Sequence, residues 1–491
     1  MKFDRETIDT AYDWLKCACD RDYEIVPDYA CKPFFDHRDI ALTLFDQWLA
    51  GEAQAGDLAF MRAPKHDGNY RTVPVLSFFD KMYMTCLIVS AYGRIIGAVA
   101  PVQDQLSYDN PLPQRAAACK EWVEVFIEPY ARYTQRTVHE LDAGRHVLAT
   151  DIRNFSPSVR IAGMRRVLTE YDVDASIAGP LCDRLEHWAE RYEEPTGLFM
   201  GQLFTAILLK LYLTPVMLEM EDRGHTVYRY VDDIRLVGKT QAECAVAFRD
   251  LTQILGDKGL TLADDKTEYL DPEKFKNHRD LNGIINRIYI RVRGNKVPAQ
   301  YKNNPRGLFE NGYNMDVLAA MAKDVIIGPL ERGEERRKGV FSFCLDHLGQ
   351  AMNGVLIPHV RAMFEQYPDK RKDILRYAGR CGYLPAMSEY LSDFCSAPDR
   401  NPFEVLEVLH FYNKYGASSD MVVNMCRDIV DETDSAPLRN ACLYYLYREL
   451  GIGHVADLGH KGLIRVHTAG LDMSPSCPDA RSVFGARPQP R

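Results

Sequence analysis

The spacing of apolar and polar positions divides the chain into a mixed first half and a helical second half. In the first half, short β-rich runs alternate with segments of helical period, which predicts a sheet backed by helices. The runs Val227–Val231 and Ile234–Val237 are separated only by Asp232 and Asp233. This spacing predicts a β-hairpin that carries both aspartates at its tip.

The same periodicity predicts the elements around that hairpin. A strand pair over Met61–Phe79 turns at Lys65–Gly68, and a strand over His146–Thr150 ends in Asp151. Helices are predicted over residues 5–50, Glu121–Val138, about 158–193 and about 202–220.

After about residue 335 the pattern is helical only, and it repeats. Three apolar-periodic helices are each followed by a glycine, at residues 382, 416 and 451, with a period of about 35 residues. Glycine is favoured just after a helix, so each would act as a C-cap. Three such units predict a short α-solenoid, and an irregular bundle with coincidental glycines is the alternative. The tail from Met473, rich in Pro, Ser and Arg, is predicted to be disordered.

Composition narrows the class of protein. The 491 residues carry a net charge of −9, which argues against a surface that coats nucleic acid throughout. The 13 cysteines lack a CxxC pair, which favours reduced thiols over a zinc site or a disulfide framework. The N-terminus lacks the apolar segment of a signal peptide, and we find no apolar run of about 18 residues. We therefore expect a cytoplasmic protein without a membrane partner.

One stretch, Asn286–Arg306, is strongly basic and has no acidic residue. It interleaves two tyrosines, and this composition suits phosphate contacts with occasional base stacking. A solvated strand edge protected by charge is the alternative. The candidate nucleic-acid-binding residues are Arg287, Arg291, Arg293, Lys296, Lys302 and Arg306.

The predicted strand ends bring Asp151, Asp232 and Asp233 together as candidate catalytic residues. Like charges this close need a counter-ion, because repulsion would otherwise raise at least one pKa. Two divalent metal ions would satisfy the oxygens and stabilise an in-line phosphoryl displacement. An Asp-Asp turn can also be only a solvated surface feature.

Five segments, in chain order, resemble the motifs of reverse transcriptases. The segment with Asp151 resembles the first palm motif, and the segment ending in Asp232-Asp233 resembles the catalytic hairpin. The others resemble the fingers hairpin, a Gly-Leu-Pro-x-Gly motif with its helix, and a motif ending in Lys-Thr. In order the segments are Pro64–Arg71, Val147–Val159, Gly197–Gln202, Tyr230–Asp233 and Gly259–Leu270.

The resemblance implies roles for the acidic residues. Asp151 and Asp232 would hold two Mg²⁺ ions, or Mn²⁺, with Asp233 supporting them. The carbonyl oxygen of Ile152 could complete one metal shell, since hard cations prefer oxygen ligands. The implied activity is RNA-directed DNA polymerisation.

The resemblance also implies nucleotide contacts, and one of them departs from the family. A bulky second aromatic of the first motif blocks the ribose 2′-hydroxyl in the family, but Ser156 stands there after Phe155. We expect weaker exclusion of ribonucleotides unless another bulky group fills that space. Basic residues would clamp the triphosphate, glycine and glutamine would approach the nascent pair, and Lys266 would protonate pyrophosphate. The candidates are Lys65, Arg71, Phe155, Ser156, Gly201, Gln202 and Lys266.

These observations predict an α+β right-hand polymerase with fingers and palm, followed by an all-α HEAT-like solenoid. The predicted domains are 1–140, N-terminal helices and fingers; 141–285, palm; 286–335, basic connector in the thumb position; 336–472, helical repeat; and 473–491, tail.

This order of domains resembles bacterial abortive-infection and related defence reverse transcriptases. The resemblance implies antiphage DNA synthesis in a homo-oligomer. Its partners would be nucleoside triphosphates, an RNA template such as a dedicated noncoding RNA, and the DNA product, with a nucleic acid or a protein hydroxyl as primer. A retron-type enzyme and a non-catalytic RNA-binding scaffold are the alternatives. Ser156 alone suggests a third alternative, an RNA-dependent RNA polymerase.

Overall fold

The structure is a computed structural model that describes most of the chain. The described residues are 2–20, 25–27, 29, 31–51, 58–64, 69–109, 111–116, 127–190, 197–273, 275, 281–298, 308–309, 314–332 and 338–450. They divide into two compact units. The first contains Met1–Phe60 and Val73–Pro272, and the second contains Met61–Thr72 and the described part of Glu273–Ile464. The predicted tail 473–491 and the glycine at 451 lie outside the described residues.

The first unit contains the predicted αβ alternation. Its helices are α1 (Arg5–Asp20), α2 (Lys32–Asp36), α3 (Arg38–Ala50), α4 (Phe78–Val99), α5 (Ile127–Asp142), α6 (Phe155–Ser158), α7 (Ile161–Glu170), α8 (Ala175–Ala189), α9 (Leu203–Asp222) and α10 (Gln241–Asp257). Its strands are β3 (His146–Asp151), β4 (Thr226–Tyr230), β5 (Asp233–Gly238) and β6 (Glu268–Tyr269).

The four strands form one antiparallel sheet in the order β4-β5-β3-β6. The four central residues of β3 and the last five of β5 are buried, because α5 and α10 both pack against these two strands or their neighbour β4. Burial on both faces explains why β3 lacks the alternation of apolar and polar residues that a half-exposed strand would show. The predicted strand before Asp151 and the predicted aspartate hairpin are both confirmed.

Two helices of this unit, α4 and α9, correct one expectation from the sequence. Both are long and apolar enough to cross a membrane by length and composition, so the statement that no such segment exists was wrong. Their apolar windows are 72% and 78% buried inside the structure, as is usual for the core helices of a folded domain. α4 packs against α1, α8 and α9, and the four helices enclose the core.

The second unit contains parts of β1 (Ala59–Pro64) and β2 (Tyr70–Val75), which pair in a two-stranded sheet. The rest of its described residues form helices and the turns between them. The α-helices are α11 (Leu281–Arg293), α12 (Met315–Ala322), α13 (Gly328–Arg332), α14 (Lys338–Gln350), α15 (Val360–Gln366), α16 (Arg371–Arg380), α17 (Ser388–Cys395), α18 (Pro402–Lys414), α19 (Asp420–Glu432) and α20 (Ala436–Leu450). A π-helical turn at Lys323–Ile327 joins α12 to α13.

The helices from α14 onward pack in a regular order. α14 packs on α16, α16 packs on α18, and α18 packs on α20, while α17 packs on α19. Gly382 and Gly416 follow α16 and α18 with φ of +67° and +61°, which confirms their predicted place as helix-terminating glycines. The HEAT-like class of this stack stays a prediction.

The basic stretch begins in a helix. Residues 286–293 belong to α11, so the alternative of a charged strand edge was wrong for that part. Apolar residues at 284, 285 and 288 are buried on one side of α11, which gives the segment helical rather than alternating burial.

Candidate active site

The three aspartates meet at one end of the central sheet. Tyr230 pairs with Asp233 across the β4-β5 hairpin, leaving Val231 and Asp232 as a two-residue turn. On the other side of β5, Asp233 is the register partner of Asp151. The amide of Ile152 donates to the carbonyl oxygen of Asp232 at 3.2 Å, which ties the end of β3 to the turn.

Asp151, Asp232 and Asp233, which together form the aspartate corner, have crowded carboxyl groups. Burial, and then the neighbouring charges of Asp151 and Asp233, raises the pKa of Asp232 to about 6. Burial also raises the pKa of Asp151, although a hydrogen bond from Lys266 opposes that rise. Two carboxyl groups that resist ionisation together form a site that favours a bound cation.

Two basic side chains partly neutralise the aspartates. Lys266 donates from Nζ to Asp151 Oδ1 at 2.9 Å, and its side chain is 59% exposed. Arg235 donates from Nη1 to Asp233 Oδ1 at 3.0 Å, and it is buried. Tyr133 of α5 donates its hydroxyl to the carbonyl oxygen of Asp233 at 3.0 Å, which fixes the start of β5.

The segment Gly259–Leu270 lies along β3 and brings Lys266 to the site. The amide of Ala263 donates to the carbonyl oxygen of Asp151 at 2.8 Å. The hydroxyls of Thr150 and Thr267 are hydrogen-bonded at 2.8 Å. Contacts on both sides of a short 3₁₀ turn therefore hold Lys266 beside Asp151.

The donor chemistry of this corner fits a divalent metal ion. Asp151 and Asp232 offer hard oxygen ligands, and each would lose an unfavourable interaction if a cation lay between them. As the side chains stand, no group of three or more His, Cys, Asp or Glu among the described residues is gathered closely enough to hold one. Lys266 donates to one oxygen of Asp151, and Arg235 donates to one oxygen of Asp233, so each of these carboxylates keeps a second oxygen that could bind a metal ion.

The predicted sugar-facing residues are buried. Phe155 is 5% exposed and Ser156 is 3% exposed. Ser156 donates its hydroxyl to the carbonyl oxygen of Leu198 at 2.6 Å, and the amide of Leu198 donates back to Ser156. Ser156 therefore joins the first motif to the Gly197–Gln202 loop in addition to any effect on sugar selection.

Gly197 is required by a close backbone contact. A Cβ on this residue would lie 1.5 Å from the carbonyl oxygen of Val159, where no side chain fits. Its amide donates to the carbonyl oxygen of Pro157 at 2.7 Å. The glycine thus serves the packing of two loops of the protein.

The other predicted nucleotide contacts are placed as follows. Gly201 has a φ of +95°. Gln202 is buried and is the N-cap of α9, with Nε2 3.5 Å from the carbonyl oxygen of Pro74. Arg71 lies on β2 within the second unit. Lys65 lies outside the described residues.

The basic connector is partly paired with acidic residues of its own unit. Arg291 pairs with Asp324 at 2.7 Å, and Arg293 pairs with Asp316 at 2.6 Å. Arg287 and Lys296 are exposed. The predicted contacts Lys302 and Arg306 lie outside the described residues.

Sequence reasoning missed the charged residues buried beneath the aspartate hairpin. Arg229 and Arg235 are 1% and 2% exposed, and Asp109 and Lys210 are 7% and 3% exposed. The signal that could have found the arginines is their position inside two short apolar strands, since charged side chains are rarely buried without a partner.

A known protein family matches the part of the chain that contains the three aspartates. Residues 63–277 match the family described as reverse transcriptase (RNA-dependent DNA polymerase). These residues are a reverse transcriptase domain. The match contains all three aspartates and indicates RNA-directed DNA polymerase activity. Reverse transcriptases typically use divalent metal ions, in agreement with the donor set of Asp151 and Asp232.

Solved telomerase structures are distantly similar to the chain. Apo telomerase from Candida tropicalis has 9% identity and a TM-score of 0.34, and the alignment covers 75% of this chain and 74% of that one. Telomerase from Candida albicans in complex with the TWJ fragment of telomeric RNA has 11% identity and a TM-score of 0.32, covering 80% and 68%.

A third solved structure aligns with a smaller part of this chain. Apo telomerase from Candida tropicalis truncated from the C-terminal domain has 9% identity and a TM-score of 0.29, covering 47% of this chain. The chain spans 55% of that truncated telomerase. No curated protein sequence matches the chain. The domain assignment rests on the family match, because TM-scores this low establish no common fold.

Proposed function

We propose that the reverse transcriptase domain synthesises DNA on an RNA template at Asp151, Asp232 and Asp233, with two Mg²⁺ ions. The observation that carries this proposal is the register of β3 with β5, which sets Asp151 opposite Asp233 and next to Asp232 inside the matched domain. Mn²⁺ would serve through the same oxygen ligands.

Asp151 and Asp232 would hold the metal ions, and Asp233 would support them from β5. When bound, the ions would favour ionisation of the primer 3′-hydroxyl and neutralise the charge on the leaving pyrophosphate. Lys266 lies beside Asp151 with an exposed ammonium, so it could give a proton to the leaving group. Arg235 orients Asp233 by a hydrogen bond to its side-chain carboxylate, and Tyr133 by a hydrogen bond to its backbone carbonyl oxygen.

We further propose that the enzyme acts in antiphage defence as a cytoplasmic homo-oligomer, with a dedicated noncoding RNA as template or with untemplated, protein-primed synthesis. The support is the sequence resemblance, together with helices that stack after the domain in the second unit. A retron-type enzyme would carry a compact thumb in place of these helices.

One experiment separates these forms of synthesis. The purified full-length chain is incubated with Mg²⁺ and each labelled nucleotide, with and without its co-purified RNA, and the product is digested with DNase, RNase or protease. We expect a DNase-sensitive product that depends on RNA. A DNase-sensitive product that stays attached to the protein under denaturing conditions until protease is added would indicate protein priming. The absence of any product would leave the RNA-binding scaffold as the function.

A further inference from the structure

The turn that carries Asp232 has an unfavourable backbone conformation. Val231 has a φ of +56°, in the left-handed region. Two-residue hairpin turns place glycine or asparagine at such positions, and a β-branched residue is disfavoured there. A contact outside the turn is therefore needed to hold Val231 in this conformation.

Arg229, two residues before Val231, supplies that contact. Its Nη1 donates to the carbonyl oxygen of Val231 at 2.8 Å and to Asp109 Oδ2 at 2.8 Å. Its backbone pairs with the preceding loop, because its amide donates to Leu106 and its carbonyl accepts from Tyr108, both at 2.8 Å. The guanidinium thus joins the turn to a fixed carboxylate.

Asp109 is itself anchored on the core. Lys210 of α9 lies 2.6 Å from Asp109 Oδ1, and Ser107 donates its hydroxyl to the same oxygen at 2.7 Å. Burial alone would raise the pKa of Asp109, but Arg229 and Lys210 lower it to about 2. The carboxylate is therefore ionised, and it connects helix α9 to the catalytic hairpin through Arg229.

Stability alone does not explain an arginine at this position. Within the described residues, the Nε and Nη2 atoms of Arg229 are buried without a hydrogen-bond partner. Buried donors left unpaired are costly, and well-packed apolar residues often replace buried ion networks without loss of stability. What an apolar residue could not supply is the hydrogen bond to the Val231 carbonyl.

We propose that Arg229, anchored by Asp109 and Lys210, is a positioning residue that holds the Val231 turn in its left-handed conformation and so sets the place of Asp232. The inference rests on the proposed catalytic role of Asp232. It assigns to three residues from separate segments one shared task, which is to keep the aspartate hairpin in a single geometry.

The test is a suppressor experiment in the full-length chain. Arg229→Lys keeps the charge, but the lysine ammonium does not reach as far as Nη1, the one nitrogen that donates to both acceptors. We therefore expect kcat to fall by about tenfold or more, with nucleotide KM changed by less than about twofold. Adding Val231→Gly removes the steric penalty of the turn and should recover most of the lost kcat. Arg223→Lys, in a partly exposed ion pair beyond α9, is the matched control.

Hydrogen exchange provides a readout that does not depend on activity. In Arg229→Lys, we expect faster exchange confined to residues 226–238. Activity equal to wild type, a loss that Val231→Gly does not suppress, or loss of protection throughout the first unit would each overturn the proposal. If the wild-type chain makes no DNA, the proposed function fails, and the exchange pattern alone then supports or overturns the role of Arg229.

Discussion

Lys266 Nζ lies 2.9 Å from Asp151 Oδ1 and donates a hydrogen bond to it. Burial lowers the pKa of Lys266, but Asp151 and the nearby aspartates outweigh this and raise it, so the ammonium is retained at neutral pH. The lysine therefore occupies one of the two oxygens of the Asp151 carboxylate. It also carries a proton that it could donate during the reaction.

Replacing Lys266 by methionine should lower kcat by about a hundredfold, in the range observed for loss of a general acid. The acid side of the pH–rate profile should move to higher pH, because the hydrogen bond from Lys266 lowers the pKa of Asp151. Steady-state kinetics between pH 5 and 9 measure both effects. Lys239→Met, an exposed lysine after β5, is the control and should behave as wild type.

Asp232→Asn should stabilise the metal-free protein at pH 8. The folded-state pKa of about 6 lies above the usual 3.8, so the stability contributed by this group is present below pH 3.8 and lost as the pH rises through 6. The variant avoids this loss, and we expect a gain of roughly 1–3 kcal/mol in the free energy of unfolding.

Denaturant unfolding in EDTA at pH 8 and pH 4 measures that difference. The gain should disappear near pH 4, where the wild-type carboxyl is protonated. Equal stability of the two proteins at pH 8 would mean that burial and the neighbouring aspartates do not raise the pKa of Asp232 in the folded protein.

Ser156→Ala should lower the free energy of unfolding by about 1 kcal/mol, because the carbonyl oxygen of Leu198 loses its buried donor. The preference for deoxynucleotides over ribonucleotides should change little, since alanine and serine are similarly small. Primer extension with each nucleotide type measures the preference, and we expect wild-type discrimination to be weak. Strong rejection of ribonucleotides by the wild type would show that another group excludes the ribose 2′-hydroxyl.

Gly197→Ala should be severely destabilising, by about 4 kcal/mol or more, because its Cβ would overlap the Val159 carbonyl. Gly256→Ala in α10 is the matched control. Its Cβ would meet no atom within 4 Å, and alanine favours a helix, so a gain of up to about 1 kcal/mol is expected. Thermal melts of the two variants compare them directly, and similar melting temperatures would refute the close contact.

The sequence was sufficient to predict the aspartate corner because its signals are local. Apolar runs interrupted by Asp151 and by Asp232-Asp233 specify two strand ends, and the structure pairs those strands in register. The helix-ending glycines at 382 and 416 were equally local, since a positive φ just after a helix favours glycine.

What the sequence could not predict are the contacts between distant segments. The Asp109–Arg229 bond joins residues on a loop and a strand, and nothing in either segment alone specifies its partner. The inward direction of the Ser156 hydroxyl depends in the same way on Leu198. The first part of the basic stretch was ambiguous between strand and helix because charge dominates its composition, and burial of its few apolar residues decided the matter.

DNA synthesis on a primed RNA template with Mg²⁺, compared between wild type, Asp151→Asn and Asp232→Asn, tests the proposed site most directly. Asp257→Asn, at the exposed end of α10, is the matched control. We predict a loss of at least about a thousandfold for both site variants, with folding intact and the control unchanged. Synthesis by either folded site variant at a rate near that of wild type would contradict the assignment of these aspartates.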